Sequence, residues 1–486
     1  MKGYTDLSQS TTFLRERILQ NSTLSLWLLI IGIQIIAGIS VCILPFPHAI
    51  LIWLAIALLF IGAVRPYYAY LLVLFFLFPQ GYQFVQLFQV GQATIRIVDF
   101  AMFLALGVCL LRGMVDRRFT LSQSAVDIPI YILLGYIFFS LFWTPSTGRG
   151  IFQLLKTLMG FLTYFLTVNM IRTRNEYKIA LMVFFISMAI FSSIGIYEIL
   201  SEKIHLAFKA TAKGYLKSSL MEVEYNNRLG LFLDLALLLA IPLFFTTDSK
   251  KTKYALGILI FIMAFSLVGI FSRKSWLGFA VGISFIGLRY RKALFYVVLS
   301  ATVSLGILFT IDMITSGFFV KALHMKLQTY FLPIEEAIPG RIATWKLGLE
   351  HFAQSPLLGH GIGSSYYLAT QYDFPLTVTH SFYIYVLEEV GLIGLLILIY
   401  LALSLGHRLY EMYKNTYEEK VKFMILGYAA GYLVLMVQGA FRMFGFYERV
   451  AWLFLGLTIV FMRLYGPVMH EKPRTKSIEH LGEDNA

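Results

Sequence analysis

His380 closes a long polar stretch and immediately precedes an apolar run. An imidazole there suits a general base at a membrane surface, because its pKa is readily moved to ambient pH. The same placement also suits a plain polar residue at a helix start. Arg228 opens an apolar run in Asn226-Asn227-Arg228-Leu229, and Arg273 separates two such runs in Phe271-Ser272-Arg273-Lys274-Ser275. An arginine at either place is an interfacial anchor snorkelling to lipid headgroups, or a fixed cation whose fork matches phosphate oxygens in two-point contacts. No Asp-x-Asp pair occurs anywhere to hold a divalent metal against a diphosphate. If the chain handles a diphosphate, arginines must take the metal's place. Nor do the histidines fall at a metal-ligand spacing such as paired His at i, i+4 with a nearby Glu, so neither a metal nor a cofactor is expected.

The elements that must position these residues belong to a membrane. The chain has 486 residues, 58% of them hydrophobic and 14% charged, whereas soluble domains run at about 45–50% apolar and about 25% charged. Disorder is excluded by the same figures. The net charge of +13 would suit nucleic acid, but the basic residues fall in loops between apolar runs, where they set orientation. Nucleic acid is therefore not an expected partner; membrane lipid is. Cys42 and Cys109 both lie inside apolar runs, so no disulfide framework or cysteine metal site is implied.

With about 20 residues per span as template, fourteen apolar runs are expected to cross: 27–44, 49–64, 67–80, 97–111, 127–143, 151–170, 179–199, 229–246, 254–271, 276–289, 293–311, 381–404, 422–441 and 450–466. Placing residues 1–26 inside gives the inner segments 24 basic residues and the outer ones 15, with Lys156 in a span. The short inner loops are each basic, as the positive-inside rule requires. The expected architecture is all-α and polytopic: a cytoplasmic segment 1–26, spans 1–11 over 27–311, a large extracytoplasmic loop 312–380, spans 12–14 over 381–466 and a cytoplasmic tail 467–486, polar and expected to be disordered. Outer segments 200–228 and 312–380 are too long for tight turns, and long loops in compact bodies are usually functional. Within the second, Ile342, Trp345, Leu349 and Phe352 recur at helical spacing over 341–355. That reads as an amphipathic helix in the outer interface, or as a lid on the span bundle.

Gly340-Arg341, Trp345, Pro356-Leu357-Leu358-Gly359-His360-Gly361-Ile362-Gly363, His380, Glu389, Gly391 and Gly394 together resemble the signature of the O-antigen ligase/polymerase family: an Arg and a Trp, P-L-x-G-x-G, then H-N-x-Y/F-L leading into E-x-G-x-x-G. Phe271-Ser272-Arg273 is similar to the family's Ser-Arg element, and Asn226–Leu229 to its upstream span start. Ser381 stands where the family usually has Asn, which removes an amide contact to sugar or phosphate at that point.

The resemblance implies a metal-independent membrane glycosyltransferase body in a bacterial inner or plasma membrane, with the active site on the outer face. It would transfer a glycan from undecaprenyl diphosphate to the hydroxyl of a glycan or lipid-linked acceptor. In these terms His380 takes the acceptor proton, Arg228 and Arg273 offset the leaving diphosphate, and Arg341, Tyr383 and Glu389 bind substrate, with Glu389 orienting His380 or capping the span start. The span count and the basic 200–228 segment favour a polymerase of an O-antigen-like or teichuronic acid-like polysaccharide over a ligase. The rival is a flippase or transporter, which should place ionisable groups at mid-membrane. Lys156 and Asp234 are the clearest charges within spans.

Overall fold

A computed structural model of the protein describes residues 66–78, 86–90, 93–115, 126–200, 208–210, 216–218, 223–269, 272–314, 341–371, 379–442 and 444–466. The first two expected spans, the 1–26 segment and the tail from 467 lie outside these. From residue 67 onward every expected span coincides with a helix. In chain order the described helices are α1 (Pro66–Leu77), α2 (Ile97–Val115), α3 (Asp127–Phe139), α4 (Thr147–Met170), α5 (Arg174–Leu200), α6 (Val223–Thr246), α7 (Lys250–Gly269), α8 (Arg273–Arg289), α9 (Arg291–Ile314), α10 (Arg341–Gln354), α11 (Ser364–Gln371), α12 (Phe382–Asn415), α13 (Glu419–Phe441) and α14 (Arg449–Tyr465), of which α10 and α11 lie in the expected loop 312–380. Among the described residues, six helical stretches, in α4, α5, α6, α7, α12 and α13, are long and apolar enough to cross a membrane by length and composition. The all-α, polytopic membrane architecture read from the sequence accords with this. Two short antiparallel ribbons add to it: β1 (Gln86–Val90) with β2 (Ala93–Arg96), and β3 (Phe208–Ala210) with β4 (Leu216–Ser218). The second lies within the segment 200–228.

The chain divides into a unit of residues 1–73 and 100–119 and a larger one of 74–99 and 120–486. In the larger unit α6 is central, with 78% of its most apolar stretch buried against 28% for α7. A helix apolar on all sides belongs inside a bundle. α6 packs against α7 and α13, and α13 packs against α8. Small residues bring the backbones together, as is usual where helices associate in lipid. Pro242 in α6 cannot donate to the carbonyl of Leu238 four residues back, and Gly427 of α13 approaches that carbonyl so closely that an added Cβ would lie 2.6 Å from it.

A second group forms around α3, α4, α12 and α14. Ile130, Tyr164, Leu405, Trp452 and Ile459 share one buried cluster, and Tyr164 donates to Asp127 at 2.7 Å. Arg449 at the start of α14 pairs with Asp99, whose other oxygen accepts from the Arg96 amide at 2.9 Å. Arg442 and Glu448, both buried, pair at 3.2 Å across the turn between α13 and α14.

Candidate functional site

α12 is interrupted at Gly391, whose φ of 62° and ψ of −165° are not helical. Continuing the helix would pair the Leu392 and Ile393 amides with the carbonyls of Glu388 and Glu389. Here the Leu392 amide donates instead to Pro356 (2.9 Å) and that of Ile393 to Leu357 (3.2 Å). The two vacated carbonyls accept from the amides of His360 (2.9 Å) and Gly361 (2.8 Å). The segment 356–361 therefore repairs, bond for bond, the ladder that Gly391 breaks. Such a repair is what an apolar bundle requires, because an unpaired backbone group has no water to turn to.

The glycines of this segment are dictated by the same geometry. Gly359, Gly361 and Gly363 all have positive φ, which L side chains rarely adopt. An added Cβ on Gly361 would lie 2.6 Å from the Ser140 carbonyl, and one on Gly363 2.9 Å from that of Arg149. The far side of the segment is fastened to the turn before α4: the Ile362 amide donates to Ser140 Oγ (3.1 Å), and Thr144 Oγ1 donates to the Ile362 carbonyl (3.0 Å). Ile362 is buried with Leu133, Ile137, Leu154, Tyr385 and Phe446.

Directly before α12 stands His380, with φ 52°, the one non-glycine residue of positive φ among the described residues. A left-handed backbone costs a non-glycine residue about 1–2 kcal/mol, and such strain clusters where function over-determines the conformation. Thr379 and Ser381 on either side are buried. Thr379 Oγ1 donates to the Ser381 carbonyl at 3.2 Å, and Thr344 of α10 reaches the Thr379 carbonyl at 3.5 Å. Tyr383 is 38% exposed, and its hydroxyl ties α12 to the Met436 carbonyl of α13 at 2.9 Å.

Arg273 is the first residue of α8, after Ser272, whose Oγ accepts from Ser275 Oγ at 3.0 Å. Arg228 directly precedes Leu229, where the membrane-length apolar stretch of α6 begins, and the helix itself extends back to Val223; its side chain lies outside the described residues. The helix contacts set the heights. Gln438 of α13 donates to Asp234 of α6, six residues or about 9 Å along the axis from Arg228. An added Cβ on Gly278 would lie 3.2 Å from the Gln438 side chain, and one on Gly439 3.7 Å from Phe382 Cβ. Arg228, Arg273, Arg442 and His380 thus belong to helix ends that converge at one end of the bundle.

α10 is helical over nearly the expected 341–355, beginning at Arg341, whose carbonyl accepts from Thr344 Oγ1 at 2.8 Å. It packs on the first turns of α12, and its fully buried residues are Thr344, Gly348 and His351. Of the apolar residues, Ile342, Trp345 and Phe352 are half-buried and Leu349 remains 46% exposed. Its small and polar face thus seals it to the bundle. The seal includes a buried pair that the sequence did not single out, His351 Nδ1 with Glu388 Oε1 at 2.8 Å. His360 Nε2 bonds the His351 carbonyl at 2.8 Å and joins α10 to the glycine segment.

Glu389 faces the other way. It is fully buried, its nearest polar neighbours are the Tyr385 hydroxyl and the amides of Gly363 and Ser365 at the start of α11, and no hydrogen bond of ordinary geometry reaches either oxygen. A carboxylate at a helix N-terminus is favourably placed. Tyr385 in turn accepts from Gln153 of α4 at 3.3 Å. Glu389 stands nine residues along the chain from His380.

Residues 258–399 match the family model described as O-antigen ligase, a stretch that runs from α7 into α12 and contains Arg273, Arg341, the glycine segment, His380 and Glu389. The match is consistent with a member of the O-antigen ligase/polymerase family. No curated protein matches the chain.

Proposed function

Taking residues 258–399 as an O-antigen ligase domain, we propose that the protein transfers a glycan from undecaprenyl diphosphate to an acceptor hydroxyl at the outer face of a bacterial inner or plasma membrane. His380 removes the acceptor proton as the hydroxyl attacks C1 of the donor sugar. Arg228 and Arg273 offset the charge that builds on the departing diphosphate, in place of a metal. A single displacement of this kind inverts the anomeric carbon and needs no covalent enzyme intermediate. Arg341 and Tyr383 line the substrate side of α10 and α12, and Glu389 holds α11 against α12. The observation that carries this reading is His380, held in a left-handed backbone at the bundle end where the helices bearing Arg228 and Arg273 converge.

Fourteen spans with both ends cytoplasmic put that bundle end outside, and the apolar face of α10 then rests in the outer interface. A polymerase, extending another lipid-linked repeat of an O-antigen-like or teichuronic acid-like polysaccharide, is favoured over a ligase by the span count and the basic segment 200–228.

The test is an in vitro transfer assay with purified protein, undecaprenyl-diphosphate oligosaccharide and EDTA. Chain growth on the lipid carrier that is lost in His380→Ala, Arg228→Ala and Arg273→Ala variants of unchanged fold supports a metal-independent polymerase. Transfer only to an added acceptor makes it a ligase. Donor movement across liposomes without turnover makes it a flippase.

A further inference from the structure

Asp234 of α6 and Gln438 of α13 are both fully buried in the bundle. Gln438 Nε2 donates to Asp234 Oδ2. The other oxygen of each group, Asp234 Oδ1 and Gln438 Oε1, is buried without a hydrogen-bond partner. Both are acceptors, so neither can satisfy the other while the aspartate is ionised. A carboxylic acid fits a carboxamide at both positions: the amide N–H meets one carboxyl oxygen, and the acid O–H meets the amide oxygen. The two unpartnered atoms are the pair that such a ring requires.

We infer that Asp234 carries a proton and that Asp234–Gln438 is a neutral acid–amide clasp, a positioning pair for the donor site. Protonation removes a bare charge from the apolar interior, where it would be expensive, and pairs both remaining polar atoms.

The positioning role rests on the functional reading above, in which Arg228 and Arg273 hold the diphosphate. Arg228 lies about 9 Å up α6 from Asp234, and Arg273 lies five residues, about 7 Å, up α8 from Gly278. Gly278 is the position whose added Cβ would sit 3.2 Å from Gln438 Cγ and Nε2. The clasp therefore fixes the axial register of α6 against α13, and through Gly278 that of α8, which sets the heights of Arg228 and Arg273 on their helices. An ionised Asp234 would instead be the mid-membrane charge of a carrier's coupling site.

Two measurements decide this. Infrared difference spectra of the purified full chain, wild type minus Asp234→Asn, are expected to show a carboxylic-acid carbonyl band that sodium or potassium ions do not alter. Carboxylate bands, or a band moved by either ion, overturn the proton assignment, and this arm needs no turnover. In the transfer assay Asp234→Asn keeps both hydrogen bonds as an amide–amide ring, so the donor KM should stay within about twofold. Gln438→Leu should raise the donor KM about tenfold, the loss of roughly 1.4 kcal/mol, with the acceptor KM unchanged. Asp234→Asn with Gln438→Glu keeps an acid–amide ring with the two roles exchanged, so its donor KM should also stay within about twofold. A donor KM raised about tenfold in that double variant overturns the positioning role. Absence of turnover in the wild type overturns that role together with the functional reading, and leaves the proton assignment to the spectra.

Discussion

Gly359 and Gly391 face each other across the break in α12: a Cβ on either would lie 2.6 Å from the amide nitrogen of the other. The two backbones thus occupy the space that side chains would need, and both residues have positive φ. The glycine segment and the helix break are one structure, made of four long-range backbone hydrogen bonds. It fixes where α10 and α11 meet α12, and so fixes the setting of His380.

Gly391→Ala is expected to destabilise the protein by more than the 1–2 kcal/mol that a left-handed alanine costs, because the Leu357 carbonyl and Gly359 amide must also retreat. Gly406→Ala on the same helix meets nothing within 4 Å and should gain up to about 1 kcal/mol from helix propensity. Thermal unfolding in detergent measures both; equal midpoints for the two variants would contradict the repair.

His351→Ala leaves Glu388 buried without its imidazole partner, at sites only 2% and 3% exposed. Removing one partner of a buried pair costs about 3–5 kcal/mol. Glu388→Gln keeps a hydrogen bond to the ring and should cost nearer 1 kcal/mol. The loss should be local to α10, so hydrogen exchange of residues 341–354 is expected to accelerate in His351→Ala while that of α6 is unchanged. Uniform acceleration would mean that the pair is not a seal on α10.

Asp248, in the turn between α6 and α7, bonds Lys420 at 2.5 Å, and the hydrogen bond and charge of Lys420 hold its carboxyl below the ordinary carboxylate range. A carboxyl lowered by folding contributes stability above its unfolded pKa and loses it as pH falls through the folded value. Lys420→Ala should therefore leave stability at acid pH unchanged and lower it slightly at neutral pH. Both groups are largely in solvent, so added salt should shrink the difference. A carboxyl titration insensitive to Lys420→Ala would refute the pairing.

The helices were legible because apolar runs and basic loops are local signals. Every expected span from 67 onward holds a helix, and Arg273 and His380 stand at the helix starts read for them. Arg228 stands directly before the apolar stretch that begins at Leu229, while 223–227 continues the helix ahead of it. The face that α10 buries was not legible. Amphipathic spacing singles out Leu349 and Trp345, but contact with α12 needs the small Gly348 beside Ile384 and Thr379. The glycine signature was visible as a pattern, whereas its meaning lies in hydrogen bonds between residues about 30 apart. The pairs Asp99–Arg449 and Asp234–Gln438 span more than 200 positions and leave no mark in spacing. For Arg442 a signal did exist, Glu448 six residues on.

His380→Gly separates strain from chemistry. Glycine adopts φ 52° without the penalty that histidine incurs, so the variant should relax the turn before α12. Glycine also loses more freedom on folding, which offsets part of that relief, and the net expectation is a midpoint equal to or above that of the wild type. A positioned general base contributes about 10²–10⁴-fold, so transfer should fall by that factor. His380→Asn, which tolerates the left-handed region better than most residues, should match the glycine variant in activity. A marked loss of stability in His380→Gly would show that the imidazole is held for packing. Retained transfer would remove His380 from the chemistry altogether.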